Sequence, residues 1–224
     1  MSSSLHEYEY EYDIDSILDD GGDLELVKSL LKNGKIDPSV NQDQLIRWAS
    51  EFGHLDIVEL LLNDPRVDPS SDNNYPIRIA SFGGFLQIVE RLLADHRVDP
   101  SAENNKAIEW ASDGGHLAVV ERLLVDPRVN PSDRNNRTIA CACAEGHLEV
   151  VERLLLDPRV DPSDDDNYAI RWTAYRGQLE VIKRLLRDPR VDPSARNNEA
   201  VRTATKECHL EVVKILLQDS RVHL

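Results

Sequence analysis

The 224 residues carry 26 Lys and Arg against 41 Asp and Glu, a formal net charge of −15 that would be repelled by nucleic-acid phosphates and by an anionic membrane surface. No apolar run approaches the ~18 residues of a membrane span, and the polar start MSSSLHEYEYEYD has no signal-peptide core. The chain is therefore expected to be soluble and intracellular, cytoplasmic or nuclear, with neither nucleic acid nor membrane as a partner.

Residues 1–12 alternate Glu and Tyr and read as a mobile acidic tail rather than a strand or a lid. Up to Gly22 the chain holds Glu7, Glu9, Glu11, Asp13, Asp15, Asp19 and Asp20 and no Lys or Arg, so nearly half of the net charge is concentrated there. Residues 13–20 predict a degenerate helix, with Ile14, Ile17 and Leu18 as its only apolar residues, and a well-formed helix follows at 24–31. This pair reads as an N-terminal cap.

From there one unit recurs. Glycine stands at Gly22, Gly53, Gly84, Gly115, Gly146 and Gly177, with Cys208 in the last place, and each interval is 31 residues. The segment after each anchor, HLEVVERLL in the fifth copy, puts Leu148, Val150, Val151, Leu154 and Leu155 on one side of a helix and Glu149, Glu152 and Arg153 on the other. A helix this short is not stable alone in water, so its apolar side must lie against the next copy. Upstream of each anchor a first helix, as at 44–52, carries small residues in two adjacent slots: Ala49/Ser50, Ala80/Ser81, Ala111/Ser112, Ala142/Cys143, Thr173/Ala174 and Ala204/Thr205. The copies divide as 13–43, 44–74, 75–105, 106–136, 137–167, 168–198 and 199–224, one repeat domain behind the tail.

Between copies, DPRVDPS loops end one unit and launch the next, because proline cannot continue a helix and Asp-Pro-Ser favours a turn. The single apolar loop residue (Ile36, Val67, Val98, Val129, Val160, Val191) is expected to plug the gap between neighbours. Then come Asn73-Asn74, Asn104-Asn105, Asn135-Asn136 and Asn197-Asn198, with Asp166-Asn167 as the variant. The first position suits a left-handed conformation, and the second is expected to cap the first helix with its side chain.

The pattern resembles the ankyrin repeat, a helix-turn-helix unit with a period of ~33. GHLEVVERLL is close to the family's second-helix signature, and Tyr75-Pro76-Ile77-Arg78-Ile79-Ala80 keeps a weak form of its T-P-L-H-x-A start. The loop is two residues shorter than the family's, and DPRVDPS-type loops look like those of protist and giant-virus ankyrin proteins. The resemblance implies an all-α solenoid of about seven repeats. Arg47, Arg78, Arg171 and Arg202 stand where the family has a loop-tying His, so each is expected to tie to an Asp of a neighbouring DPS turn. His54, His116, His147 and His209 sit where the family begins its second helix with histidine.

No phosphate loop, nucleophile elbow or HExxH helix appears, and the four histidines lie in helices stacked ~8 to 10 Å apart, too far to share a zinc ion. Cys141, Cys143 and Cys208 have no disulfide framework and read as thiols. An enzyme is not expected, and neither is a cofactor or a metal. The resemblance implies a protein-protein interaction module, binding one protein partner on a concave surface of first helices and loop tips. The slot five residues before each anchor reads Trp48, Ile79, Trp110, Cys141, Trp172 and Thr203, large and small in alternation. Helical phase places Trp48 and Phe52 on the concave side, which makes Trp48, Phe52, Arg78, Phe82, Trp110, Arg171, Trp172, Tyr175, Arg176 and Arg202 the candidate partner-binding residues. The indoles could equally fold over their small neighbours and seal the helix layer. The alternative function is structural: Val212, Ile215 and Leu216 of the last copy have no following copy, which would let the chain stack on a second one as a homodimer.

Overall fold

The computed structural model describes residues 23–223; the expected acidic tail, the first helix at 13–20 and the anchor Gly22 lie outside that range. Among the described residues there are thirteen helices and no strand. A lone helix α1 (Leu24–Lys32) is followed by six pairs: α2 (Val40–Glu51) and α3 (Leu55–Leu62), α4 (Ser71–Phe82) and α5 (Leu86–Leu93), α6 (Ala102–Asp113) and α7 (Leu117–Leu124), α8 (Asp133–Glu145) and α9 (Leu148–Leu155), α10 (Asp164–Arg176) and α11 (Leu179–Leu185), α12 (Ala195–Lys206) and α13 (Leu210–Leu216). First helices pack on first helices and second helices on second helices, in two parallel rows.

The second helices follow the apolar pattern of the sequence. In α9, Val150, Val151, Leu154 and Leu155 are all buried, and their counterparts along the stack join one continuous core that runs from Val27 to Val222. The loop residues Ile36, Val67, Val98, Val129, Val160 and Val191 are buried in it as well, so the one apolar side chain of each loop does close the seam between copies. The small first-helix slots are fully buried up to Ala204, which lets the first-helix row pack closely along its length, whereas second helices touch their neighbours less.

The start of each first helix differs from the expected cap. Three consecutive residues, not one, adopt left-handed backbone: 41–43, 72–74, 103–105, 134–136, 165–167 and 196–198, with φ between +49° and +61° and no glycine among them. Each such residue costs ~1–2 kcal/mol, so this turn must be held from outside. Two devices hold it. The Oδ1 of the third residue accepts the backbone N–H of the residue 25 positions later, in the next loop: Asn74 from Asp99 at 2.7 Å, Asn105 from Asn130 at 2.7 Å, Asn136 from Asp161 at 2.8 Å and Asn167 from Asp192 at 2.6 Å. The second asparagine is therefore a link between copies rather than the N-cap of its own helix. The first-helix arginine supplies the other device, holding the turn's free carbonyls: Arg78 donates to Asp72 O (2.8 Å) and Asn73 O (3.1 Å), and Arg171 to Asp165 O and Asp166 O (both 3.0 Å). Arg47 and Arg202 do the same at Asn41 O (2.7 Å) and Asn197 O (2.9 Å). The expected tie to a neighbouring DPS aspartate is not what these four arginines make.

Loop arginines tie adjacent loops together instead. Arg97 forks onto Asp95 through Nε (2.9 Å) and Nη2 (2.6 Å) and reaches back with Nη1 to the Val67 carbonyl of the previous loop at 2.8 Å. Arg128, Arg159, Arg190 and Arg221 repeat the contact at Val98 O, Val129 O, Val160 O and Val191 O, at 2.8 to 3.0 Å. The fork holds each aspartate below the usual carboxylate range, at about 2 for Asp95 and Asp219.

Candidate partner-binding face

Histidines after the anchors add a further link, from the second helix of one copy to the first helix of the copy before. Nε2 of His116, His147 and His209 lies 2.8, 2.8 and 2.9 Å from the carbonyls of Phe82, Asp113 and Tyr175. Gln178 substitutes with its amide, donating to Ala144 O at 3.2 Å. Each ring lies directly over the glycine of the preceding copy: a Cβ built on Gly115 would stand 2.5 Å from Nδ1 of His147. Gly115 also has φ +74°, so two independent demands fall on it. Cys208 holds the same backbone region at φ 62° and is exposed.

The aromatic residues of the first helices gather into three groups. Trp48 lies 5.6 Å from Phe52 and stacks on His54 at 4.6 Å between ring centres. Phe82 meets Trp110 edge to face at 6.0 Å, and the Arg78 guanidinium sits 5.5 Å from the Trp110 ring and 5.4 Å from that of Tyr75. In α10, Trp172 is sandwiched between Tyr168 (5.8 Å) and Tyr175 (4.9 Å) in a three-ring stack. Phe52, Phe82, Trp172 and Tyr175 are 59%, 48%, 39% and 39% exposed, while Trp48 and Trp110 are half-buried.

The candidate arginines separate from one another. Arg171 is buried and its Nη1 pairs with Glu199 at 2.7 Å, so it braces the turn and contributes no free charge. Arg176 pairs with Glu145 of the preceding first helix. Arg202 is exposed and caps its own turn. Arg78 lies against Tyr75 and Trp110, and the Arg171 guanidinium lies 5.6 Å from the Tyr168 ring. In the fourth copy the arginine slot holds Glu109, buried and ringed by Lys106 (2.8 Å), Arg134 (3.1 Å) and Arg137 (3.8 Å). Sequence reading passed over Tyr75 and Tyr168, whose signal was position, since each stands four residues before a tryptophan slot and so on the same helical face, and Glu109, which holds the arginine slot.

Burial pushes the thiols of Cys141 and Cys143 up to about 11 and about 12, which leaves them unreactive near neutral pH. In the last copy Val212 and Leu216 are buried and Ile215 half-buried, so two of the three residues on which stacking through that end was expected to rest are already inside. Among the described residues no helix is long and apolar enough to cross a membrane, and no group of three His, Cys, Asp or Glu could hold a metal ion.

Two rows of short antiparallel helices, linked at a fixed register by loop, asparagine and histidine contacts, define a helical-repeat solenoid. The family model described as ankyrin repeats (3 copies) matches residues 46–135 and again 138–224, and the chain belongs to the ankyrin-repeat family. No curated protein matches it. Ankyrin repeats generally serve protein-protein interaction and are typically non-enzymatic.

Proposed function

We propose that the chain binds a protein partner on the face formed by its first helices, with Trp48, Trp110 and Trp172 and the rings beside them as anchors. The carrying observation is the run of exposed and half-exposed rings, repeated from α2 to α10 on one face, with Arg78 and Lys106 stacked over Trp110. Tryptophan and arginine are the residue types most enriched where truncation costs an interface most. The tighter packing of the first-helix row supports a stack curved toward that row, which gives a partner a concave seat.

The test is a partner recovered by pull-down and then titrated against purified chain. Trp110→Ala with Trp172→Ala should weaken binding by at least ~2 kcal/mol while the helical circular dichroism signal persists. Unchanged affinity, or collapse of the fold before any binding defect, would assign the rings to packing.

A further inference from the structure

The alternation of large and small side chains leaves a gap. In the fifth of the six described pairs, corresponding face positions are Tyr168, Trp172 and Tyr175, the three-ring stack; in the pair before it they are Arg137, Cys141 and Ala144. The missing bulk appears as a notch of about 130 Å³ on the face, floored by Cys141 and Ala144 and walled by Tyr168 and Trp172. That is close to the ~150 Å³ that admits a benzene-sized group. The charges at its rim are Asp113, Arg137 and Glu145. Glu145 is held by Arg176, and Arg137 pairs with Glu109 at 3.8 Å. Asp113 gives its carbonyl to His147, but among the described residues its carboxylate has no hydrogen-bond or ion-pair partner.

Resting on the reading of this face as the partner-binding surface, we propose that the notch receives an arginine side chain of the partner, with Asp113 as its carboxylate anchor. A planar guanidinium offers a carboxylate two parallel donors, which a compact ammonium does not. The charge comes from Asp113 rather than from the ring faces, since both faces of Trp172 are already covered by tyrosines. A partner acid would meet Asp113 unpaired and the −15 of the whole chain.

N-acetyl-arginine methylamide and its neutral isostere N-acetyl-citrulline methylamide serve as probes, read by the indole N–H resonance of Trp172 in labelled full-length protein, with Trp172→Phe for assignment. The arginine probe should give a saturable shift, the citrulline probe should bind about fivefold more weakly or worse, and Asp113→Asn should bring arginine down to the citrulline level. Cys141→Trp, which places an indole where the copies on either side have one, should abolish the shift with circular dichroism unchanged. Equal binding of the two probes, indifference to Asp113→Asn, or no saturable shift would overturn the proposal. Tighter binding of the corresponding lysine amide would overturn the choice of arginine. Because no partner enters this assay, its failure leaves the tryptophan test of the face untouched, and failure of that test is read separately on the partner.

Discussion

Gly115→Ala separates the two demands on the anchor glycine. The left-handed backbone at φ +74° should cost about 1 kcal/mol for a residue with a Cβ. The added Cβ would also stand 2.5 Å from the His147 ring and push it off the Asp113 carbonyl, which it now meets at 2.8 Å, a loss of ~0.5–1.5 kcal/mol for the contact plus the cost of moving the ring. The expected total is about 2–3 kcal/mol by urea denaturation. Gly34 is the control, with φ +63° and nothing within 4 Å of a built Cβ, and Gly34→Ala should cost only about 1 kcal/mol. In a His147→Ala background Gly115→Ala should fall to that same value, a coupling of about 1 kcal/mol or more in the double-mutant cycle. Cys208→Gly tests the same logic in reverse and should stabilise by up to about 1 kcal/mol, since Cys208 already holds φ 62°. Absence of coupling between Gly115 and His147 would refute the ring-over-glycine account.

Leu154→Ala, in the middle of the core, should cost roughly 2–5 kcal/mol in urea melts, and Leu30→Ala in the first copy less, because each copy is supported only by its neighbours. Asp64, Asp95, Asp126, Asp157, Asp188 and Asp219 are all held below the ordinary 3.8 by arginine forks. Their contribution is therefore complete above that value and should be lost as pH falls from about 5 toward 2, a loss that Asp157→Asn should flatten in acid titrations followed by circular dichroism.

What the sequence disclosed was set by short range and by period. The glycines, the apolar face of Leu148–Leu155 and the plugging valines repeat every 31 residues, and each follows from a local rule about backbone freedom or burial. The left-handed turns were hidden because Asn-Asn before a helix satisfies the capping rule as well as the left-handed one; only the N–H of Asp99, 25 residues on, shows which use Asn74 serves. Arg97 was read as part of a helix stop for the same reason, since its acceptor at Val67 lies 30 residues back. On the candidate face the alternation at Trp110, Cys141 and Trp172 was legible, but the vacancy it leaves depends on Arg137 and Ala144 also being narrower than their counterparts Tyr168 and Tyr175.

Asp43 is the one third-turn residue that breaks the pattern, since Asn74, Asn105, Asn136, Asn167 and Asn198 hold the same position in the copies that follow. It does the same work, its Oδ1 accepting the N–H of Asp68 at 2.8 Å, but as a buried carboxylate. Burial raises its pKa above 3.8 most, the Asp68 and Asp37 charges raise it further, and the Asp68 N–H and Arg47 oppose them without prevailing. A carboxyl whose folded value is raised is destabilising while ionised, so the penalty is present above the folded pKa and disappears as pH falls below the unfolded one. Asp43→Asn should keep the acceptor and remove the charge. It should also supply an amide donor toward the residue 28 positions on, where Asn136 finds Asp164 at 2.9 Å and where Ser71 Oγ is buried without a partner. The expected gain at pH 7 is ~0.5–2 kcal/mol, of the size found for single charge-optimising substitutions. Much of it should vanish by about pH 3.5, leaving only what the new amide contributes. A variant no more stable than the parent at pH 7, or one whose full advantage survives unchanged at low pH, would show that the Asp43 carboxylate carries no such penalty.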